Sequence, residues 1–361
     1  NTTGTRNNAF GAAALDANTT ASYNNAFGYN ALGANTTGAE NVAMGDLALQ
    51  DNTTGQKNTA IGTSSLASNT TAEQNTALGY AALNSNTTGT RNTSVGGNSL
   101  DANTTASDQA AFGYNSLTDN TTGCCLSAFG SSALANNTTA DYNTAVGYQA
   151  MFTNTTGTSN AALGKNALVN ATTANHNVAL GTDAFQSATT GFEGVAVGSN
   201  AGGSVTTGGD NTLIGYVAGN HNIGLSTGAG NVIVGAYSDV PATDTNHAIV
   251  MGYDVTGVGA DNFTFGRGSV DSNIAFGATS ITAPSDIRLK EDIEDEQVGL
   301  EFINELRPVT FRWKKAKDIP SDHRAYIEEG KDGAEDRVME RGDDLYHGFI
   351  AQEIKVALDK H

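Results

Sequence analysis

The chain has 361 residues and a net charge of −19, and small residues dominate it, with 43 Gly but only 4 Pro and 1 Trp. Small and polar residues bury little apolar area each, so the composition excludes a conventional large hydrophobic core. The acidic balance argues against nucleic-acid binding, which needs clustered Lys and Arg. No apolar run approaches the about 20 residues needed to cross a membrane.

A 17-residue repeat fills the first part of the chain. The triplet Asn-Thr-Thr starts at Asn1 and returns every 17 residues, and Ala-Thr-Thr continues it from Ala171. An apolar residue followed by Gly keeps the same period, first at Phe10 and later up to Ile214. A Leu or another apolar residue stands four positions after that Gly. Twelve copies without an insertion establish the repeat as the organising feature of the chain.

Seventeen residues is too short for the common helical repeats and suits one coil of a β-solenoid. Each unit contains two predicted extended runs, near Asn-Thr-Ala-apolar and near Ala-Leu. Because stacked coils advance by about 4.8 Å, equivalent residues lie above one another. We expect the apolar residue and the Leu to form inward ladders and Asn and Thr to form hydrogen-bonding ladders. Gly is expected where φ is positive or where backbones approach closely.

One or two apolar side chains per coil is a thin core for one chain, which favours three chains around a shared axis. The runs from Asn58 to Gly62, Asn75 to Gly79 and Asn143 to Gly147 read Asn-Thr-Ala-apolar-Gly. They resemble the Ser-x-Ala-Ile-Gly head repeats of trimeric autotransporter adhesins and the β-structured shafts of phage fibres, although the unit here is longer than typical adhesin repeats. The expected fold for residues 1–215 is a mostly β, trimeric β-solenoid shaft.

After residue 215 the spacing of the apolar-Gly pairs becomes irregular, and we predict an irregular β-rich transition region over 216–284. The composition then changes. Residues 1–284 contain 17 acidic and 5 basic residues, whereas 285–361 contain 20 and 13. The charge distribution therefore places a domain boundary at 284.

The last segment combines helix and strand patterns. Apolar residues alternate over 285–293, follow a helical face over 296–306, and form a strand-like run over 309–313. A charged loop or hairpin is expected over 314–344, before a final helix that begins near 353. The prediction is a small α+β domain.

Three motifs in this segment resemble, in the same order, the intramolecular chaperone domain of endosialidase-type phage tailspikes, also classed as peptidase S74. They are Ser285-Asp-x-Arg-Leu-Lys290, Leu306-Arg-Pro-Val-x-Phe311-x-Trp313 and His347-Gly-Phe-Ile-Ala-Gln-Glu353. The resemblance implies homotrimerisation, assistance in folding the preceding β-fibre, and self-cleavage between Pro284 and Ser285. The family domain continues into long C-terminal helices, so we expect the domain to be truncated here at its C-terminus.

A Ser–Lys dyad gives this cleavage a chemical basis. Ser285 Oγ would attack the Pro284 carbonyl carbon while Lys290 accepts the proton, which requires a partly desolvated amine with a pKa below its usual value of about 10.4. A Ser five residues before a Lys is structural in most proteins, so the assignment depends on the flanking motifs. Asp286 and Arg288 are interpreted as structural ion pairs, and His347 as a packed or capping residue.

Other candidate sites are weak. The six His residues show no ligand spacing and no Gly-rich stretch continues as a phosphate loop, so neither a metal nor a cofactor is expected. The adjacent Cys124 and Cys125 are interpreted as substituted positions and not as a structural disulfide.

The sequence as a whole predicts a structural viral tail fibre or tailspike for host attachment, assembled in the host cytoplasm and located in the virion. The expected partners are further copies of the chain as a homotrimer, a host cell-surface receptor of glycan type and other tail proteins, without nucleic acid or membrane insertion. Two alternatives stay open, a bacterial surface trimeric adhesin and a fibre whose chaperone is retained uncleaved as a cap. Any enzymatic activity would be at most a single-turnover self-cleavage.

Overall fold

The computed structural model describes residues 1–268, 270–278, 300–312, 314–321, 326–331 and 346–360. The chain divides into two compact units, Asn1–Pro284 and Ser285–His361. The strands of the first unit all belong to one sheet. Their bounds are β1 Asn8–Phe10, β2 Asn25–Phe27, β3 Val42–Met44, β4 Thr59–Ile61, β5 Thr76–Leu78, β6 Thr93–Val95, β7 Ala110–Phe112, β8 Ser127–Phe129, β9 Thr144–Val146, β10 Ala161–Leu163, β11 Val178–Leu180, β12 Val195–Val197, β13 Thr212–Ile214, β14 Val232–Val234, β15 Ile249–Tyr253, β16 Asn262–Arg267 and β17 Val270–Ala275.

Strands β1 to β16 stack in parallel, each on the strand of the next coil, which confirms the predicted β-solenoid of 17-residue coils. The stack continues beyond residue 215. There the step from Thr212 to its partner Val232 is 20 residues, and the step from Ile249 to Phe263 is 14. Strand β17 pairs with β16 in the antiparallel direction and ends the parallel stack.

Each coil contains one strand, so the expected second extended run around Ala-Leu was wrong. At that position the chain turns through a left-handed residue, as at Leu49 with φ of 51°. Its backbone N–H nevertheless donates to the carbonyl oxygen of Ser65 in the next coil, at 3.0 Å. The turn therefore keeps the inter-coil hydrogen bonding of a strand without its extended geometry.

The interior of the coil is lined by the middle residue of each strand and by the Leu that follows four positions after the Gly, as at Ala43 and Leu49, which are fully buried. The inward Leu ladder is thus confirmed. The other inward ladder was wrong, because the apolar residue before the Gly points outward, as at Met44 with 45% exposure. Side chains alternate along a strand, so a buried middle residue turns both of its neighbours to the outside.

The first Asn of each Asn-Thr-Thr triplet forms a buried hydrogen-bonding ladder. Asn52 Nδ2 donates to Asn35 Oδ1 of the preceding coil at 2.9 Å and to the carbonyl oxygen of Gly55 at 3.0 Å. The predicted Asn ladder is therefore confirmed, and it lies inside the coil, where each amide satisfies its neighbour.

A second buried Asn ladder precedes the strands. Asn58 Oδ1 accepts the backbone N–H of Asn75 at 2.9 Å, and its Nδ2 donates to the carbonyl oxygen of Ala72 at 2.8 Å. Thr forms a third, half-buried ladder, in which Thr53 Oγ1 donates to the carbonyl oxygen of Thr70 at 3.1 Å. The Asn amides satisfy backbone groups at the corner of the coil. The Thr hydroxyls add a further bond to carbonyl oxygens such as that of Thr70, which already accepts two backbone N–H groups.

The buried carboxylate of Asp239 stabilises the longer coil, in which the step from β13 to β14 is 20 residues. Its Oδ1 accepts the N–H of Val240 at 2.9 Å. Its Oδ2 accepts four consecutive backbone N–H groups at 2.9 to 3.1 Å, those of His221, Asn222, Ile223 and Gly224. Such a ring of amide donors compensates a buried negative charge. The additional residues are thereby held in a defined loop while the ladders resume at β14.

The second unit contains α1 Leu300–Glu305, β18 Val309–Phe311, a short 3-10 helix Ala316–Asp318, β19 Tyr346–Gly348 and α2 Ala351–Leu358. These elements agree with the predicted helix, strand and final helix. The extended segment expected over 285–293 lies outside the described residues.

We expect the Gly that follows the outward apolar residue to be indispensable. Gly96 has φ of +136°, and a Cβ on it would lie 2.4 Å from the carbonyl oxygen of Gly113. Around the neighbouring Gly97 the nearest atom to such a Cβ is Tyr114 Cδ2 at 3.5 Å. Gly96→Ala should lower the free energy of unfolding by about 3 kcal/mol or more, and Gly97→Ala by less than about 1 kcal/mol. Urea unfolding of both variants checks this, and equal losses would contradict it.

The first Asn ladder ends at Ala171, and the buried Asn154 Oδ1 has no hydrogen-bond partner. Ala171→Asn should supply the missing donor and stabilise the fold by about 1 kcal/mol. Ala188→Asn is the matched control, because its amide would face Ala171 and find no acceptor there. A rise in the thermal midpoint for Ala171→Asn only is the expected result; the same rise in both variants would rule out the ladder as its cause.

Candidate functional site

The residues predicted for self-cleavage, Pro284, Ser285 and Lys290, lie outside the described residues, as do Asp286 and Arg288. The dyad therefore stays a prediction. The two later motifs of the segment are described in large part, and they show how this unit is assembled.

A two-stranded sheet joins these two motifs. Strand β18, from the Leu-Arg-Pro-Val-x-Phe motif, pairs in the antiparallel direction with β19, which begins the His-Gly-Phe-Ile-Ala-Gln-Glu motif. In this register Val309 is opposite Gly348, and Thr310 is opposite His347. The role expected for the His347 side chain lies outside what the structure describes.

An ion pair connects the same motifs at a second point. Arg307 Nε and Nη2 donate to Glu353 Oε2 and Oε1 at 3.1 and 2.5 Å. The hydrogen bonds from Arg307 lower the pKa of the Glu353 carboxyl, and those to Glu353 raise the pKa of Arg307. The pair is thus present at neutral pH and is lost when acid protonates Glu353. Sequence reasoning singled out both motifs but not this contact.

A second ion pair links Lys360 Nζ to Glu305 Oε2 at 2.9 Å, between α2 and α1. Both pairs are substantially exposed, so they orient the helices and contribute little stability each. They border a cleft lined by Glu305, Arg307, Glu353, Val356 and Lys360. The first ion pair connects the two motifs, and the second connects the two helices. The charged groups of the cleft are paired with one another and exposed, whereas acyl transfer requires a desolvated base.

On the first unit, the residue before the Gly of each coil forms a continuous apolar row on the outside, which we call the outward ladder. Its rungs are in register from strand to strand, and none is buried. Its members are Phe10, Phe27, Met44, Ile61, Leu78, Val95, Phe112, Phe129, Val146, Leu163, Leu180, Val197, Ile214, Val234, Met251 and Phe265. Sequence reasoning missed this surface by placing the row inside, because the buried position of the regular strands is the middle residue, which is Ala in most of them, as at Ala43 and Ala60.

The adjacent cysteines are free thiols with their Sγ atoms 3.1 Å apart. The hydrogen bond with Cys125 raises the pKa of Cys124 to about 12. A thiol with such a pKa is protonated at neutral pH, so Cys124 is a poor nucleophile.

Within the described parts of the chain, no group of three or more His, Cys, Asp or Glu side chains is placed to hold a metal ion. The helices that the structure describes are all too short or too polar to span a bilayer.

Comparison with known proteins finds a match to a protein family. The family described as the chaperone of endosialidase, Peptidase_S74, matches residues 285–361. No curated protein and no solved structure matches the chain. The chain therefore combines a β-solenoid of 17-residue coils with a C-terminal segment that matches the endosialidase chaperone family, an organisation that suggests a tail-fibre-like or tailspike-like protein.

Proposed function

We propose that this chain forms a homotrimeric fibre of a virion that attaches to the host, and that residues 285–361 act as its trimerisation chaperone. The observation that carries the proposal is the family match directly after the solenoid. Small Ala residues, one Leu and Asn amides fill the interior of the regular coils, as at Ala43, Leu49 and Asn52, which favours a structural role for the solenoid.

The repeat itself explains why such a fibre needs a chaperone. Each coil resembles the next, so a strand that pairs one coil too early or too late still meets Ala, Gly and Asn at the right positions. Register is therefore weakly specified within the shaft. The contacts are also non-local, since the pairings of the regular coils join residues 17 positions apart, and intermediates with open strand edges aggregate. A C-terminal segment that aligns three chains would set one common register.

The proposed maturation step is cleavage at Pro284–Ser285. Ser285 Oγ attacks the Pro284 carbonyl carbon and Lys290 takes the hydroxyl proton. The Pro284–Ser285 C–N bond then breaks and Lys290 returns the proton to the leaving nitrogen, which gives an ester on Ser285 Oγ and a free amino group. Water then hydrolyses the ester and leaves a Pro284 carboxylate. A chaperone that is retained uncleaved as a cap is the alternative outcome.

The proposed partners are a glycan of the host cell surface and other tail proteins, and the proposed location is the virion. A bacterial surface adhesin is the second candidate, favoured by the likeness of the run from Asn58 to Gly62 to adhesin head repeats. Tail genes beside the gene for this chain would favour the fibre, and a membrane anchor encoded after it would favour the adhesin.

The homotrimer predicts the mass in solution. Light scattering of the purified, uncleaved chain should give about three times the single-chain mass of 37.0 kDa. A sample in denaturant should give the mass of a single chain. A native mass near 37.0 kDa would refute the homotrimer.

The cleavage predicts a new N-terminus. Mass spectrometry of the wild-type product should show a fragment that begins at Ser285, and Ser285→Ala should abolish it because no nucleophile is left. Ser280→Ala, in the same stretch, should cleave normally. Intact chains in wild type would show instead that the chaperone is kept as a cap.

A further inference from the structure

We propose that the outward ladder is the surface by which copies of this chain pack on one another, in parallel and in register, around the fibre axis. The inference rests on the proposed homotrimer and adds which face of the coil is turned to the axis. It concerns the described residues of the first unit only.

The exposed area is the first reason. The rungs are apolar from Phe10 to Phe265, and even in mid-shaft Leu163 is 53% exposed. With coils about 4.8 Å apart and three-residue strands about 10 Å long, the strand face that carries the outward ladder is about 75 Å long and covers on the order of 750 Å². Soluble monomers rarely expose a contiguous apolar patch of more than a few hundred Å². The area is close to the about 800 Å² per partner of a stable interface.

The charge distribution is the second reason. Residues 1–284 contain 17 acidic and 5 basic residues, yet strands β1 to β15 contain no charged residue. Two copies that approach by a side that carries these mostly acidic residues bring like charges together, whereas the strand side avoids this cost. On this side the residue two positions before each rung is often small, as at Thr59, Ala110 and Ala161, which lets a neighbouring copy come close.

The periodicity identifies the occupant. A partner that covers the outward ladder must present apolar groups at the coil spacing along the whole shaft. A second copy of the chain meets this requirement, because it carries the same ladder with the same spacing and length. Cyclic symmetry brings the same rung of each copy to the same height at the axis. The paired rings of Phe112 and Phe129, stacked 4.7 Å apart, would then meet identical pairs and not the smaller Val95 or Val146.

The test uses the full chain with Cys124→Ser and Cys125→Ser, so that no native thiol interferes. Leu163→Cys, and separately Leu180→Cys one rung further, should form disulfide-linked dimers of chains on mild oxidation, because equivalent rungs meet at the axis. Thr156→Cys is the matched control, an exposed residue in the coil of Leu163 that lies outside the outward ladder. It should not cross-link. In the native trimer, maleimide should also modify the rung cysteines at least about tenfold more slowly than Thr156→Cys.

The outcomes separate the two proposals. A trimeric chain in which both rung cysteines react like Thr156→Cys and do not cross-link would overturn the axial placement and leave the homotrimer standing. Rungs that are protected but fail to cross-link at both positions would show another occupant, and would also overturn it. A monomeric parent protein by light scattering would refute the homotrimer itself.

Discussion

The first unit depends on the close contact between glycines of successive coils. A Cβ on Gly79 would lie 2.5 Å from the carbonyl oxygen of Gly96, and the same clash recurs at Gly62 with Gly79 and at Gly147 with Gly164. This contact sets the spacing at which equivalent residues stack, and every ladder follows from it. Amide chains, the Leu column and the outward ladder exist because each residue repeatedly meets its own counterpart. Three-residue changes of coil length occur beyond β13, and in the longer coil the carboxylate of Asp239 binds the backbone of the inserted residues.

The coil closes in 17 residues only because it uses left-handed backbone at three residues besides Gly, such as Glu40, Leu47 and Leu49. Each costs about 1 to 2 kcal/mol in isolation. Stacking offsets this cost, since Leu47 donates to the carbonyl oxygen of Tyr29 at 2.8 Å and the Leu49 side chain is fully buried. A single coil has neither compensation. The solenoid therefore gains stability only as neighbours are added, as in other one-dimensional repeat arrays.

The sequence was sufficient for the features that depend on period and residue type. The 17-residue coil, the Asn ladders at Asn52 and Asn58 and the Gly row all follow from what recurs at equal spacing. The direction of the outward ladder and the single strand per coil did not follow, because both depend on the left-handed turn at residues such as Leu49, a conformation that Leu rarely adopts. The contact of Arg307 with Glu353 joins residues 46 positions apart, and no local sequence pattern predicts it. The prediction that Ser285 and Lys290 form a catalytic dyad depends only on the sequence motifs and their spacing.

The interior of the coil stabilises the fold of one chain, whereas its exterior bears on assembly with other copies. Inside, amides and Ala fill a narrow space whose hydrogen bonds one chain can complete alone. Outside, the large apolar residues are left without cover, so a single chain is folded internally and yet exposes an aggregation-prone stripe. Assembly of several copies must therefore follow chain folding closely, and this is the role proposed for residues 285–361 as a covalently attached chaperone. If cleavage after Pro284 then removes it, the fibre loses the means to refold, and its persistence depends on the rate of unfolding and not on an equilibrium.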